Sequence, residues 1–288
     1  MDQNTKILGH RGIKGLLLEN TFPSFKESLN CSDGFELDLW LSKDNILIIN
    51  HDSTFDRLAY KDNYYYNFIE KRQIKDLYWD EIEKINLIDS IERKYKVLRL
   101  DYLLQNWSDL QKSDALINLE VKDPNCSTIL GELLKKMKSL GIYQFNRFLV
   151  SSYHPEVINH FFSLKTQILT QNRTKHRFNQ KKEVGLKENP RKNSYNVELN
   201  DFYNDSIRVG LIVDDEILEE KKCNSLITYI EKYEFDYLIL GKELLSKVLD
   251  IDLSYKIGTF TVNEFEDIQD CKIKLDLIIS DRPDKFTH

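Results

Sequence analysis

Glu36 and Asp38 stand two residues apart in the run GFELDLWL, and Phe35, Leu37 and Leu39 alternate with them. On a β-strand, side chains two apart share a face, so both carboxylates point one way and the apolar set points the other. The same arithmetic applies to NLEVK at 118–122, where Glu120 and Lys122 share one face and Leu119 and Val121 the opposite one. If the apolar faces pack on helices, the three acids turn inward, where they repel one another and lose hydration; a cation or another partner normally offsets that cost. A single pair of this kind would be satisfied by a neighbouring Lys or Arg. Three at successive strand ends form a hard oxygen site suited to Mg²⁺ or Ca²⁺, with Mn²⁺ as a further candidate. The sequence offers neither a thiolate set nor a close histidine pair for structural zinc.

His10 closes the first strand-like run, and His51 follows a short hairpin after the second. Both positions can reach the rim that carries the acids. Histidine serves as base or acid near neutral pH, and hydrolysis of a phosphodiester needs one of each, on opposite sides of phosphorus. A lone histidine is more often structural, so the weight rests on the company of the two. His154 could also reach the rim, whereas His160 and His176 have no supporting motif.

The elements that must position these groups alternate between short apolar runs and longer amphipathic stretches, a pattern that predicts an α/β fold with a parallel sheet. Strands are expected at 6–9, 34–41, 116–121, 147–151, 207–213, 237–240, 256–261 and 275–280, with a hairpin strand at 46–49. Helical patterns lie at 21–29, 127–140, 155–162, 215–233, 242–249 and 264–270. Asn20 or Thr21 would cap the first helix, with Pro23 in its first turn, and Asn263 would cap the last. Eight such strands, with helical patterns between them, predict a (β/α)₈ TIM barrel, and 288 residues suit a single barrel domain over 1–288, since such barrels run to about 250 residues and more. Two segments break the rhythm. The stretch 53–96, after the second strand, is dense in aromatic and charged residues, including Tyr64, Tyr65 and Tyr66; it reads as an insertion with a small aromatic subcore. The stretch 170–206, before the fifth strand, is polar and basic and reads as an inserted loop or lid.

A net charge of -6 and a pI near 5.6 argue against a nucleic-acid partner, which would need a basic surface to displace counterions. The first residues lack the charged start and apolar run of a leader, and no segment reaches the roughly 18 apolar residues of a membrane span. A cytoplasmic protein is expected. Contact of the basic stretch at 173–192 with anionic membrane is a weaker reading than a solvated loop. Cys31, Cys126, Cys223 and Cys271 are scattered and suit free thiols of a reducing compartment. The oligomeric state cannot be read from the sequence.

In order along the chain stand His10-Arg11-Gly12, Glu19-Asn20-Thr21, Glu36-x-Asp38, His51-Asp52 with Asp56-Arg57 following, Glu120-Val121-Lys122, Ser151-Ser152-Tyr153, Thr261-Val262-Asn263 and Ser280-Asp281-Arg282-Pro283. In this ordered set the chain resembles the glycerophosphodiester phosphodiesterase family from end to end, with only the two insertions unmatched. The resemblance implies a (β/α)₈ barrel with a small subdomain after the hairpin and a hydrolase that splits a glycerophosphodiester into an alcohol and glycerol 3-phosphate. It carries Glu36, Asp38 and Glu120 over as metal ligands and His10 and His51 as the acid/base pair. Arg11 and Lys122 become groups that neutralise phosphate, and Phe260 becomes a substrate-binding wall residue. Glu19 and Asp52 are expected to orient the histidines or the phosphate-binding arginine from behind. The chain departs from the family pattern at Leu18 for proline, at Leu58-Ala59 for Thr-Thr and at Phe260 for tryptophan. All three affect pocket walls and therefore substrate preference. Two other functions fit the same fold: a lysophospholipase D acting on lysophospholipids at a membrane surface, and a silent barrel used as a binding module.

Overall fold

A computed structural model describes residues 4–61, 64–184, 205–220, 226–248 and 255–286, with the side chains of residues 64 and 171–184 outside the description. The strands in chain order are β1 (Lys6–Gly9), β2 (Gly34–Leu41), β3 (Leu47–Ile49), β4 (Asn86–Ile88), β5 (Lys94–Lys96), β6 (Leu98–Arg99), β7 (Leu116–Val121), β8 (Phe148–Ser152), β9 (Arg208–Val213), β10 (Tyr237–Gly241), β11 (Lys256–Phe260) and β12 (Leu277–Ser280). Eight of them, β1, β2 and β7 to β12, pair in parallel with their sequence neighbours, and β12 returns to β1, so the sheet closes into a barrel with helices between the strands. This is the (β/α)₈ TIM barrel that the sequence predicts. All eight predicted barrel strands are present, with ends that differ by at most two residues.

Strand parity sorts the side chains as expected. Phe35, Leu37, Leu39, Ile117, Leu119, Val121, Phe148 and Val150 join the outer core under the helices, while Leu8, Leu116, Leu149, Ile212, Ile239, Leu277 and Ile279 fill the barrel interior. In the outer core Phe25 from the first helix (Phe22–Cys31) stacks on Phe35, with ring centroids 4.7 Å apart. Burial of each such ring contributes about 1.5–3 kcal/mol. Trp107 continues the stack on Phe35 at 5.9 Å. It sits between two short helices, Leu100–Asn106 and Ser108–Lys112, that hydrophobic periodicity did not single out because neither completes more than two turns.

The carboxyl end of β2 runs on beyond its pairing with β7 and pairs antiparallel with β3, at Leu39 with Ile49 and Leu41 with Leu47. This hairpin folds the chain back onto the barrel rim and carries the insertion, whose second small core holds Phe55, Tyr66, Ile69, Ile74, Ile82 and Leu87. The aromatic subcore is therefore real. Tyr65 packs against it, and its hydroxyl donates to the Glu81 carbonyl.

The segments that differ from expectation do so for local reasons. The helix predicted at 155–162 runs over Pro155–Val184, so the first part of the expected loop at 170–206 is helical. A polar surface helix without an apolar stripe gives no periodic signal. The remainder, 185–204, lies outside the described residues, as do the side chains of the basic stretch and of His176. The helical pattern at 215–233 appears as Asp215–Glu220 and Leu226–Ile230, and those at 242–249 and 264–270 are short 3₁₀ turns. Cys31, Cys126 and Cys271 are free thiols, and Cys223 lies outside the described residues. Among the described residues no helix is long and apolar enough to cross a membrane.

Candidate active site

The carboxyl ends of the barrel strands collect most of the chemistry-bearing side chains. Glu36 and Asp38 project from β2 and Glu120 from β7, in a register that sets Asp38 beside Glu120. All three are buried, and one oxygen from each lies within 4.8 Å of the other two. Glu36 Oε2 accepts the Arg11 backbone N–H at 2.7 Å, whereas Glu36 Oε1 is buried with no hydrogen-bond partner. Asp38 Oδ2 accepts from Asn20 Nδ2 at 2.8 Å, and Asp38 Oδ1 lies 3.1 Å from Lys122 Nζ. Lys122 also pairs with Glu120.

This charge arrangement splits the acids. Burial pushes the Glu36 carboxyl well above the ordinary carboxylate range, and Asp38 and Glu120 push the same way. Burial also works against ionised Asp38, but the ammonium of Lys122 and the guanidinium of Arg11 outweigh it and hold Asp38 at about 2. Desolvation opposes charged Lys122 too, yet Glu120 and Asp38 raise its pKa above the ordinary lysine value. An uncompensated, buried carboxylate oxygen in an all-oxygen donor set fits a divalent cation, the class of ligand that the sequence expects.

Arg11 is placed by backbone geometry that tolerates few substitutions. Arg11 (φ 51°), Gly12 (φ 86°) and Asn20 (φ 57°) all occupy the left-handed region. The Asn20 N–H donates to the Arg11 carbonyl at 2.9 Å, and Ser24 Oγ donates to the same oxygen at 3.2 Å. A methyl group on Gly12 would stand 2.6 Å from the Ser24 carbonyl carbon. Gly12→Ala is therefore expected to destabilise the fold by about 1–3 kcal/mol, measured as a lower urea midpoint at unchanged slope.

Each histidine is backed by a carboxylate. His51 Nδ1 lies 2.7 Å from Asp52 Oδ1, and Asp52 Oδ2 accepts from Arg57 Nε at 2.6 Å. Arg57 reaches on to Glu19 through Nη1 and Nη2, at 3.0 and 2.7 Å, and Glu19 also accepts from Arg11 Nη1 at 2.9 Å. Glu19 thus ties the guanidinium of the insertion to that of the first loop. Burial, with the cations Arg11 and Lys122, lowers the pKa of His51 against the opposing pull of Asp38 and Asp52. His10 Nδ1 lies 2.6 Å from Asp281 Oδ1. Behind Lys122, Tyr153 projects inward from the end of β8, and its ring meets Phe260 edge-on at 6.4 Å. His154 takes a supporting position, with Nε2 3.1 Å from the Lys122 carbonyl.

The structure thus brings His51, Arg11, Glu19, Glu36, Asp38, Asp52, Glu120 and Lys122 into one connected cluster, places His10 at the end of β1 directly before Arg11, and sets Phe260 at the end of β11 against Tyr153. Arg57 and Asp281 stand in the ordered motifs with no role of their own, and Asn20 and Asn263 are read from the sequence only as candidate helix caps. Asn263 was expected to cap a helix, but Glu264 occupies that position in a capping box with Asp267, which frees the Asn263 side chain to turn toward Asp281.

The model of the glycerophosphoryl diester phosphodiesterase family matches residues 10–285. The chain belongs to this family. Two members similar to it are the glycerophosphodiester phosphodiesterase of Caldanaerobacter subterraneus, 29% identical over 152 residues, and that of Bacillus altitudinis, 30% identical over 168 residues. These matches cover 52% and 57% of this chain and 58% and 64% of the two relatives, so the chain spans less than two thirds of either. Among solved structures, an Oleispira antarctica phosphodiesterase in complex with the product sn-glycerol-3-phosphate superposes with a TM-score of 0.65 at 18% identity, covering 97% of this chain and 94% of the other. At that identity the likeness supports the family's barrel fold.

Proposed function

We propose that this chain hydrolyses small glycerophosphodiesters to an alcohol and glycerol 3-phosphate in a reaction that depends on a divalent cation. The observation that carries the reading is the buried triad Glu36, Asp38 and Glu120, with its orphan oxygen, beside an imidazole backed by a carboxylate at Nδ1. A divalent cation held by these three residues, Mg²⁺ or Ca²⁺ with Mn²⁺ as a third candidate, would supply neutralisation of charge on the phosphoryl oxygens.

The chain's own residues account for the rest. Arg11 and Lys122 border the triad as fixed positive groups and oppose the negative charge that grows on phosphorus oxygens in the transition state. His10 and His51 form the acid/base pair: one removes a proton from the nucleophile, a water or the neighbouring glycerol hydroxyl whose cyclic phosphate a water then opens, and the other gives a proton to the departing alcohol. Asp52 orients His51, and Glu19 holds Arg11. Phe260 and Tyr153 form an apolar wall against which the non-phosphate part of the substrate packs. The partner is a small-molecule phosphodiester, and the net charge of -6 argues against a nucleic acid.

A coupled assay for glycerol 3-phosphate across glycerophosphodiesters of different head groups, with and without chelator, tests the reading. Release that stops with chelator and returns with added cation is the expected outcome. No release with Mg²⁺, Ca²⁺ or Mn²⁺ for any head group overturns it.

A further inference from the structure

We propose that Asp281 is a positioning residue for this reaction: its carboxylate fixes the ring of His10 through Nδ1, and Asn263 fixes that carboxylate in turn, so that Nε2 is the nitrogen turned to the substrate. The inference rests on the reading of His10 as one of the acid/base pair. Three successive strands, β11, β12 and β1, converge on the arrangement. The His10 N–H donates to the Ser280 carbonyl at 2.7 Å, which places the histidine against the end of β12. The next residue of that strand end, Asp281, uses both carboxylate oxygens. Oδ1 lies 2.6 Å from His10 Nδ1, and Oδ2 accepts from Asn263 Nδ2 at 3.3 Å. Asn263 Oδ1 accepts the Asp281 backbone N–H at 2.8 Å and the Ser280 hydroxyl at 3.3 Å. The asparagine is therefore held at both ends of its amide and aims one N–H at the carboxylate.

An ionised carboxylate has no proton to give, so the proton in the short contact to His10 belongs to Nδ1. Asp281 does stay ionised, because the hydrogen bond and charge of His10 and the nearby ammonium of Lys14 outweigh its burial. That leaves Nε2 as the site where a proton is taken or given. The two histidines then differ in kind. Asp52 behind His51 is shared with Arg57 at 2.6 Å, whereas Asp281 has the more distant Lys14 at 4.0 Å and the neutral Asn263 amide. A carboxylate partnered mainly by one imidazole gives a strong, charge-assisted hydrogen bond and sets both the ring's rotation and its tautomer.

The test reads the tautomer before it reads the rate. In the full-length wild-type protein, the ¹⁵N shifts of the His10 ring, assigned by their loss in His10→Gln, should show neutral His10 protonated at Nδ1. Asp281→Ala should give a mixture of tautomers with His51 signals unchanged. It should lower kcat by about 10²–10⁴-fold with little change in KM, and calorimetric Mg²⁺ binding should match the wild type. Asn263→Ala, which leaves the contact to His10 in place, should lose about tenfold in kcat and carries the test if Asp281→Ala fails to fold. A wild-type His10 protonated at Nε2 overturns the proposal, as does wild-type kcat in either folded variant. If the wild-type enzyme hydrolyses no glycerophosphodiester, the functional reading fails while the tautomer measurement still decides the role of Asp281.

Discussion

Replacing His51 by alanine is expected to cut turnover of a glycerophosphodiester by about 10²–10⁴-fold while the barrel stays folded, and His10→Ala should do the same. The fold should survive because neither ring belongs to the apolar core; the side chain of His51 is about one-third exposed and that of His10 lies on the rim. The loss should be large because no other described histidine is backed by a carboxylate in the same way. His154 is occupied at Nε2 by the Lys122 carbonyl, and His160 packs against Phe161 outside the barrel mouth. The pH dependence has a defined sign. Burial and the cations Arg11 and Lys122 lower the folded pKa of His51 below the ordinary 6.5, so between those two values the unfolded chain binds more protons than the folded one. This contribution to stability is present above pH 6.5 and is lost as the pH falls through the folded value. The wild type should therefore lose stability relative to His51→Ala on acidification below pH 6.5, which urea melts at successive pH values measure. Near-wild-type turnover in either histidine variant would remove the paired-imidazole account.

Much of this site was legible because its clustered acids lie on strands. A period of two is rigid enough that GFELDLWL and NLEVK show which residues face inward without any coordinates, whereas the register that sets Glu36 beside Asn118 and Asp38 beside Glu120 is fixed only by the sheet. What could not be read lies where the chain turns. The left-handed backbone at Arg11 and Asn20, which brings the Asn20 amide to Asp38, has no periodic signature. Asn263 misled in a specific way: an asparagine ahead of an acidic short helix satisfies the pattern of a cap, yet its amide is drawn to the carboxylate of a neighbouring strand end. Asp281 had a motif but no visible partner, because 271 residues separate it from His10 and only closure of the ring makes them neighbours. The helix Pro155–Val184 shows the opposite limit beyond its apolar first turns, since a polar helical stretch and a polar loop have the same apolar pattern, namely none.

Glu36→Gln should make the protein more stable without metal and less stable with it. In the metal-free protein, burial and the neighbouring acids raise the folded pKa of Glu36 above its unfolded value. The folded state then binds the extra proton, so stability is greatest below the unfolded pKa and falls as pH rises through the folded one. By neutral pH the raised pKa is a cost to the fold, because the unfolded chain gives up the same proton freely. A glutamine keeps the bond that matters locally, since its carbonyl can accept the Arg11 N–H where Oε2 does now, and it places a neutral NH₂ where the orphan Oε1 stands. Removing a buried acid whose ionisation the fold opposes should stabilise metal-free protein by about 1–3 kcal/mol at neutral pH. Added Mg²⁺ or Ca²⁺ reverses the order. A site with three carboxylates gains about 2.7 kcal/mol when the cation is 100-fold above its dissociation constant, and a site that has lost one of its three charges gains far less. Turnover should fall with the lost affinity. The discriminating measurement is a pair of urea melts for wild type and variant, each with chelator and with saturating cation. If the cation stabilises both proteins equally, Glu36 is not a ligand; if the variant is the weaker of the two even in chelator, the carboxylate is held by contacts within the barrel and its charge needs no ion.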